Sequence, residues 1–263
     1  MTSTPRATPF LLAATCLLTI VACGGERPAG ATVANDSATM SRAEEPARPP
    51  YRVVDVRNGG AIVGRVLATG PTPDDTTVAA SADSGVCGAT RVVPLVERRG
   101  DRLENVVVWL DDARAGKPLP AERRYEIEHD ACAIEPRVQA AVAGGMLNVR
   151  SSDRAVHRAR FIRSGATIDL VQETDAGQVV PTEKVLARPG LVEVRCDRHP
   201  STRAWIRVFD HPYYAVTNRD GTFTLDSVPP GTYTLEAWQP RLGVRTMKVT
   251  VGKGTDVKVD VAF

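Results

Sequence analysis

Period-two alternation of apolar and polar residues sets the first limit on this chain. Val192, Val194 and Cys196 share one side of an extended run, while Glu193 and Arg195 take the other, because successive strand side chains point to opposite faces. Met247, Val249 and Val251 alternate in the same way, as do Val257, Val259 and Val261, with Gly252-Lys253-Gly254 as the turn between the two runs. Gly221-Thr-Phe-Thr-Leu225 is echoed by Gly231-Thr-Tyr-Thr-Leu235 across Val228-Pro229-Pro230, which reads as a hairpin with similar sister strands rather than a domain repeat. β-branched and apolar runs bounded by Gly and Pro predict further strands near 61–68, 105–110, 125–128, 138–142, 146–150 and 156–162. No stretch carries a long helical period. The chain is expected to be all-β.

The N-terminal part stands apart from this pattern. Arg6 gives a weakly positive start, and an apolar stretch from Phe10 to Ala22 has the length of a signal-peptide core, too short for an ordinary membrane span. It ends Ile20-Val21-Ala22-Cys23, which resembles the bacterial lipobox. That resemblance implies a lipoprotein signal over 1–22 and lipidation of Cys23; the alternative is an ordinary signal with an incidental cysteine. Gly24, where Asp would mark inner-membrane retention in enterobacteria, implies a lipid anchor in the outer membrane facing the periplasm. Residues 23–59 are poor in large apolar side chains and rich in Ala, Pro, Gly and charge; they are expected to form a disordered tether, with folded structure beginning near Gly60.

Bulk composition excludes more than it assigns. The 263 residues carry a net charge of +2, which gives no electrostatic case for nucleic acid. There is no Gly-x-Ser-x-Gly, phosphate loop, His-Glu-x-x-His or Cys-x-x-Cys-His, so a hydrolase, nucleotide enzyme, zinc protease and c-type cytochrome are disfavoured and no enzyme is expected. Of the five cysteines, Cys16 leaves with the signal and Cys23 carries lipid. Cys87, Cys132 and Cys196 remain in an oxidising compartment, enough for one bridge and one leftover thiol.

The stretch Cys196-Asp-Arg-His199 offers a thiolate and an imidazole from one tight loop after a strand. That is a way for a β-scaffold to hold a soft metal. His157, on the strand predicted near 156–162, offers a second imidazole. His129 and His211 read as ordinary surface or domain-junction residues. Arg154, Arg158, Arg160 and Arg163 read as a solvated face, or else as a basic surround that steers an acidic redox partner. Trp109, Trp205 and Trp238 read as core or interdomain packing.

Two family patterns together cover nearly all of residues 60–263. Asp220-Gly221, Phe223, Leu225, Val228-Pro-Pro-Gly231, Tyr233 and Leu235 resemble the carboxypeptidase-regulatory-like, prealbumin-like sandwich. Such domains often open with Gly-x-Ile/Val-x-Gly-x-Val, here Gly60-Ala-Ile-Val-Gly64-Arg-Val66. Between these ends, Ala133-Ile-Glu-Pro136-Arg-Val138, Gly144-Gly145, Leu147-Asn-Val149, Ser152-Asp153, His157 and Cys196-Asp-Arg-His199 resemble a minimal cupredoxin of the plastocyanin/azurin kind. The whole is similar to bacterial exported proteins that pair the two domains, some of them labelled methylamine-utilisation-like.

The resemblance implies a cupredoxin-like Greek-key sandwich over 121–211, inserted into a prealbumin-like β-sandwich formed by 60–120 and 212–263. It implies one copper ion held by His157, Cys196 and His199, and it makes Cys87 and Cys132 the disulfide candidates. The family loop commonly reads Cys-Asp-x-His-Pro-Trp-Met; here Ser201-Thr202 replace Trp-Met, so Thr202 takes the weak axial position, with an open position or a backbone carbonyl as the alternatives. A weak or missing axial ligand predicts a high reduction potential that favours Cu(I). Zinc, which also accepts two His and one Cys, is the less favoured ion. The expected role is electron transfer or copper handling in the bacterial cell envelope, with a redox partner or copper donor the sequence does not name, and membrane contact through the lipid anchor alone. The alternative is a metal-free β-sandwich scaffold in which Cys196 is a small buried hydrophobe.

Overall fold

The computed structural model describes residues 49–263 apart from 81 and 174. Cys23, the signal over 1–22 and most of the expected tether lie outside the described residues. Among the described residues no helix is long and apolar enough to cross a membrane.

Two β-sandwiches share the described chain. In the first, one sheet runs Tyr214–Val216, Val107–Leu110, Gly231–Gln239, Gly243–Val251 in spatial order. The opposing sheet centres on Gly60–Leu67, which pairs antiparallel with Thr222–Val228 and parallel with Val257–Ala262. Strands from both ends of the chain therefore meet in each sheet. The alternating residues Phe223, Leu225, Leu235, Val249, Val251 and Val261 turn inward onto Ile62, Val66 and Leu103. Gly64 of the opening motif has a packing reason: a Cβ there would meet the Val259 carbonyl oxygen at 1.7 Å and the Phe223 ring at 3.0 Å. Gly60 is held likewise against Thr255, whose carbonyl oxygen a Cβ would approach to 2.1 Å.

Residues 124–209 build the second sandwich. One sheet runs Ala133–Glu135, Arg124–Asp130, Met146–Ser151, Val179–Thr182; the other runs Val138–Val142, Arg203–Phe209, Gly190–Cys196, His157–Arg163, Ala166–Glu173. Val192, Val194 and Cys196 are all buried, and pack with Phe161, Ile127, Leu147 and Ile206 or at the edge of that core. Outside, Arg195 donates two hydrogen bonds to Glu193 at 2.7 and 2.8 Å.

Val107, Trp109, Val138, Phe209 and Trp238 form a separate apolar cluster where strands of the two sandwiches meet, with Trp205 packed against it. The three tryptophans thus pack at the junction. His211 lies beside it, accepting the Tyr213 N–H at 3.2 Å.

Two features depart from the sequence expectations. The tether does not run free to residue 59: Arg52–Val53 pairs with Ala115–Gly116, and the Tyr51 hydroxyl donates to the Lys117 carbonyl at 2.7 Å. An aromatic ring in a polar stretch is enough to pin it against the first core. The segment after the first strand also makes an excursion. Thr76–Ala79 pairs with Thr90–Val93, with the short helix Ser84–Cys87 between them. This hairpin is joined to the second sandwich by a disulfide between Cys87 and Cys132.

Candidate metal centre

Strand register brings the site together. Ala159 pairs with Cys196 and Phe161 with Val194 in the antiparallel ladder. His157, two residues before Ala159, therefore shares the inward face with the thiol. Its direct partner on the other side is Glu173. From the opposing sheet, Ile127 and His129 alternate inward along Arg124–Asp130. His199 returns from the loop after Cys196, where its carbonyl accepts the Thr202 N–H at 2.8 Å and closes the turn.

Cys196 is the free cysteine of the described chain and is buried. His157 Nδ1 lies 3.7 Å from its sulfur and His199 Nδ1 lies 3.5 Å away. For a trigonal ion with metal–nitrogen bonds of about 2.0–2.1 Å and a metal–sulfur bond of about 2.3 Å, nitrogen and sulfur stand about 3.8 Å apart. His129, His157 and Cys196 each place a donor atom within 4.8 Å of the others. The rings of His129 and His157 stack, 4.2 Å apart at 9°, and His199 tilts against His157 at 4.8 Å.

Each imidazole is backed by a carboxylate on its far nitrogen. His157 Nε2 lies 2.8 Å from Asp153 Oδ2, and Asp153 is itself held by the backbone N–H groups of Ala131 and Cys132, both at 2.8 Å. His129 Nδ1 lies 3.2 Å from Glu173 Oε1, and His199 Nε2 lies 3.2 Å from Asp83 Oδ2. A carboxylate behind the ring fixes the tautomer and makes the near nitrogen a better donor to a metal. Two hydrogen-bonded pairs converge on one thiol, and beside the third ring Asp83 Oδ2 stands close without a hydrogen bond.

Burial works against ionisation of Cys196, but the His129 and His157 imidazoles and the Arg158 backbone N–H outweigh it and bring the thiol down to about 4. Burial likewise opposes a charged His129, yet Cys196 and Glu173 raise its pKa to about 9. A thiolate faces an imidazolium in the metal-free protein.

The residues singled out from sequence separate into two groups. His157 and His199 each reach the Cys196 sulfur, at 3.7 and 3.5 Å, but the three donor atoms that all lie within 4.8 Å of one another there are those of His129, His157 and Cys196. The Thr202 hydroxyl has other partners: it donates to the Cys132 carbonyl and accepts from Arg91 Nη2 at 3.1 Å. The basic run is a solvated face at Arg154 and Arg158, which are exposed, and at Arg160, which pairs with Asp197 at 2.7 Å; Arg163 departs from it, buried and donating to the Val185 carbonyl at 2.8 Å. His129 is fully buried at the site and not a surface residue; its place two residues after Ile127 was the available signal. Glu173 and Asp83 were not foreseen, since a carboxylate behind a histidine is far from it in sequence.

The excursion covers the site. Asp83, Cys87 and Arg91 lie over the loop that carries His199 and Thr202, leaving His199 4% exposed. A cavity of about 20 Å³ remains between them, lined by Cys87, Arg91, Cys132, His199 and Thr202 among others. That is space for about one water.

Residues 190–263 match the model of the carboxypeptidase regulatory-like domain family. No curated protein matches the chain. Among solved structures, the chain is similar to a purple cupredoxin from Nitrosopumilus maritimus, at 18% identity over 32% of this chain and 99% of that one, with a TM-score of 0.28. It is also similar to a reduced amicyanin variant, at 13% identity over 33% and 82% with a TM-score of 0.29. Reduced auracyanin from Roseiflexus castenholzii gives 12% identity over 34% and 99%, with a TM-score of 0.29. Each likeness spans about a third of this chain.

Proposed function

We propose that the chain is a copper-binding protein of the bacterial cell envelope, anchored through lipid on Cys23, that carries electrons or handles copper and is not an enzyme. One observation carries the reading: Cys196 is met at 3.5 and 3.7 Å by two imidazole nitrogens, each with a carboxylate behind its ring. One thiolate with two imidazoles suits copper better than a hard cation. His157, Cys196 and His199 would hold the ion, which supplies a one-electron couple when bound. The chain's own residues fix the ring orientations and exclude water.

A second reading has its own support. Thr202 is engaged elsewhere, and the His129 imidazolium already offsets the thiolate charge. Both fit a scaffold that has given up its metal.

Copper titration of the full chain separates the two. The first reading expects one equivalent bound, with an intense visible thiolate-to-copper band that is absent in Cys196→Ser. A wild-type protein that stays uncoloured and retains no copper rejects it.

A further inference from the structure

The role of His129 is the least expected feature of the site. It is fully buried, Glu173 occupies its Nδ1, and its Nε2 has no hydrogen-bond partner. An unmatched polar atom at that depth costs free energy unless something meets it. Cys196 and His157 each place a donor atom within 4.8 Å of a nitrogen of this ring.

Ligation of the same ion by His129 and His157 conflicts with the ring geometry. A metal bound to an imidazole lies close to that ring's plane. The two rings are parallel within 9° with centroids 4.2 Å apart, so a metal in the plane of one ring stands well out of the plane of the other. His129 also sits between two acceptors, the Glu173 carboxylate and the Cys196 sulfur.

Resting on the copper reading above, we propose that His129, oriented by Glu173, is a positioning residue that donates a hydrogen bond from Nε2 to the Cys196 thiolate and so tunes the metal centre from outside its ligand set. No bond to the metal is involved. The donated hydrogen withdraws charge from the sulfur, which weakens its donation to Cu(II) more than to Cu(I) and raises the reduction potential. Surrounding hydrogen bonds to the sulfur are among the levers that set such potentials. The centre would then favour Cu(I) through a donor on the sulfur.

The test compares the copper-loaded full chain with the His129→Leu/Glu173→Leu double variant, which removes the buried carboxylate together with its partner and so protects the fold. Its melting curve, taken first, checks that the chain is intact. The proposal expects the double variant to bind copper and keep its colour. The thiolate band should shift to lower energy, and the affinity for Cu(II) relative to Cu(I) should rise by about tenfold, the size that a hydrogen bond to a charged group carries. Pulsed electron paramagnetic resonance should count two coordinating nitrogens in both proteins. Three nitrogens in the wild type falling to two in the variant would make His129 a ligand and overturn the proposal. An unchanged band and potential would overturn it as well. If the wild type itself shows no colour, the copper reading fails first, a result distinct from both.

Discussion

Removing His129 alone exposes how the site is held in the metal-free protein. Glu173 is fully buried, its Oε1 meets His129 Nδ1 at 3.2 Å, and its Oε2 has no partner. His129→Leu leaves that carboxylate in an apolar enclosure with nothing to offset it. Breaking a buried ion pair by deleting one partner costs about 3–5 kcal/mol, whereas replacing both partners by apolar groups is often neutral or stabilising. The single variant should therefore lose about 3–5 kcal/mol. At about 2–4 °C per kcal/mol for a chain of this size, that lowers the melting temperature by roughly 6–20 °C. His129→Leu/Glu173→Leu should recover most of the loss. Thermal melts of the four proteins in a double-mutant cycle, metal-free and with the disulfide intact, measure the coupling directly. Equal losses in the single and double variants would mean that Glu173 does not depend on His129, and the charge argument would be wrong.

Two further predictions concern the same region. In metal-free protein the ultraviolet absorbance of the Cys196 thiolate should persist below neutral pH and disappear only near 4; a transition close to 9 would contradict the pairing. For stability the signs oppose each other. The depressed thiol contributes above its unfolded value, and that contribution is lost as pH falls through about 4; the raised imidazole contributes below its unfolded value, and that contribution is lost as pH rises through about 9. The two changes cancel between the ordinary imidazole value of 6.5 and about 9, so the metal-free protein should gain stability as pH rises from about 4 to 6.5 and then hold level, as melts across that range would show. Cys87→Ser/Cys132→Ser should cost roughly 4 kcal/mol from the lost loop constraint across a sequence separation of 45. It should also make His199 reactive toward a histidine-modifying reagent; a His199 that stays as protected as in wild type would show that the excursion covers the site without the bridge.

The alternation in 192–196 was enough to turn Cys196 inward, whereas the reason for glycine at 60 and 64 emerges only when Thr255 and Val259 lie beside them. His157 and His199 were legible because a local pattern surrounds each. His129 was not, because a lone histidine in Arg124–Asp130 says nothing about what faces it across the sandwich. Thr202 shows the opposite limit. Its position in the loop suggests an axial contact, while its hydroxyl finds a carbonyl from Cys132 and a guanidinium from Arg91, both remote in sequence. Tyr51 shows a third limit: composition marks its neighbourhood as a tether, and one ring with one hydrogen bond to Lys117 is enough to end it.

The interleaving of the two sandwiches bears on which copper role fits. The first contributes the excursion that carries Asp83, Cys87 and Arg91; the second contributes Cys196 and the histidines. With His199 4% exposed and the adjoining cavity about 20 Å³, an ion could not pass that edge without the excursion moving, and the Cys87–Cys132 bridge ties it down. An electron needs no such opening. A covered, disulfide-fixed site therefore suits electron carriage, with the metal retained, better than repeated loading and release. Copper release that stays slow with the bridge intact and speeds up when Cys87 and Cys132 are reduced would tie exchange to that bond. Release at the same rate in both states would remove the excursion from the argument.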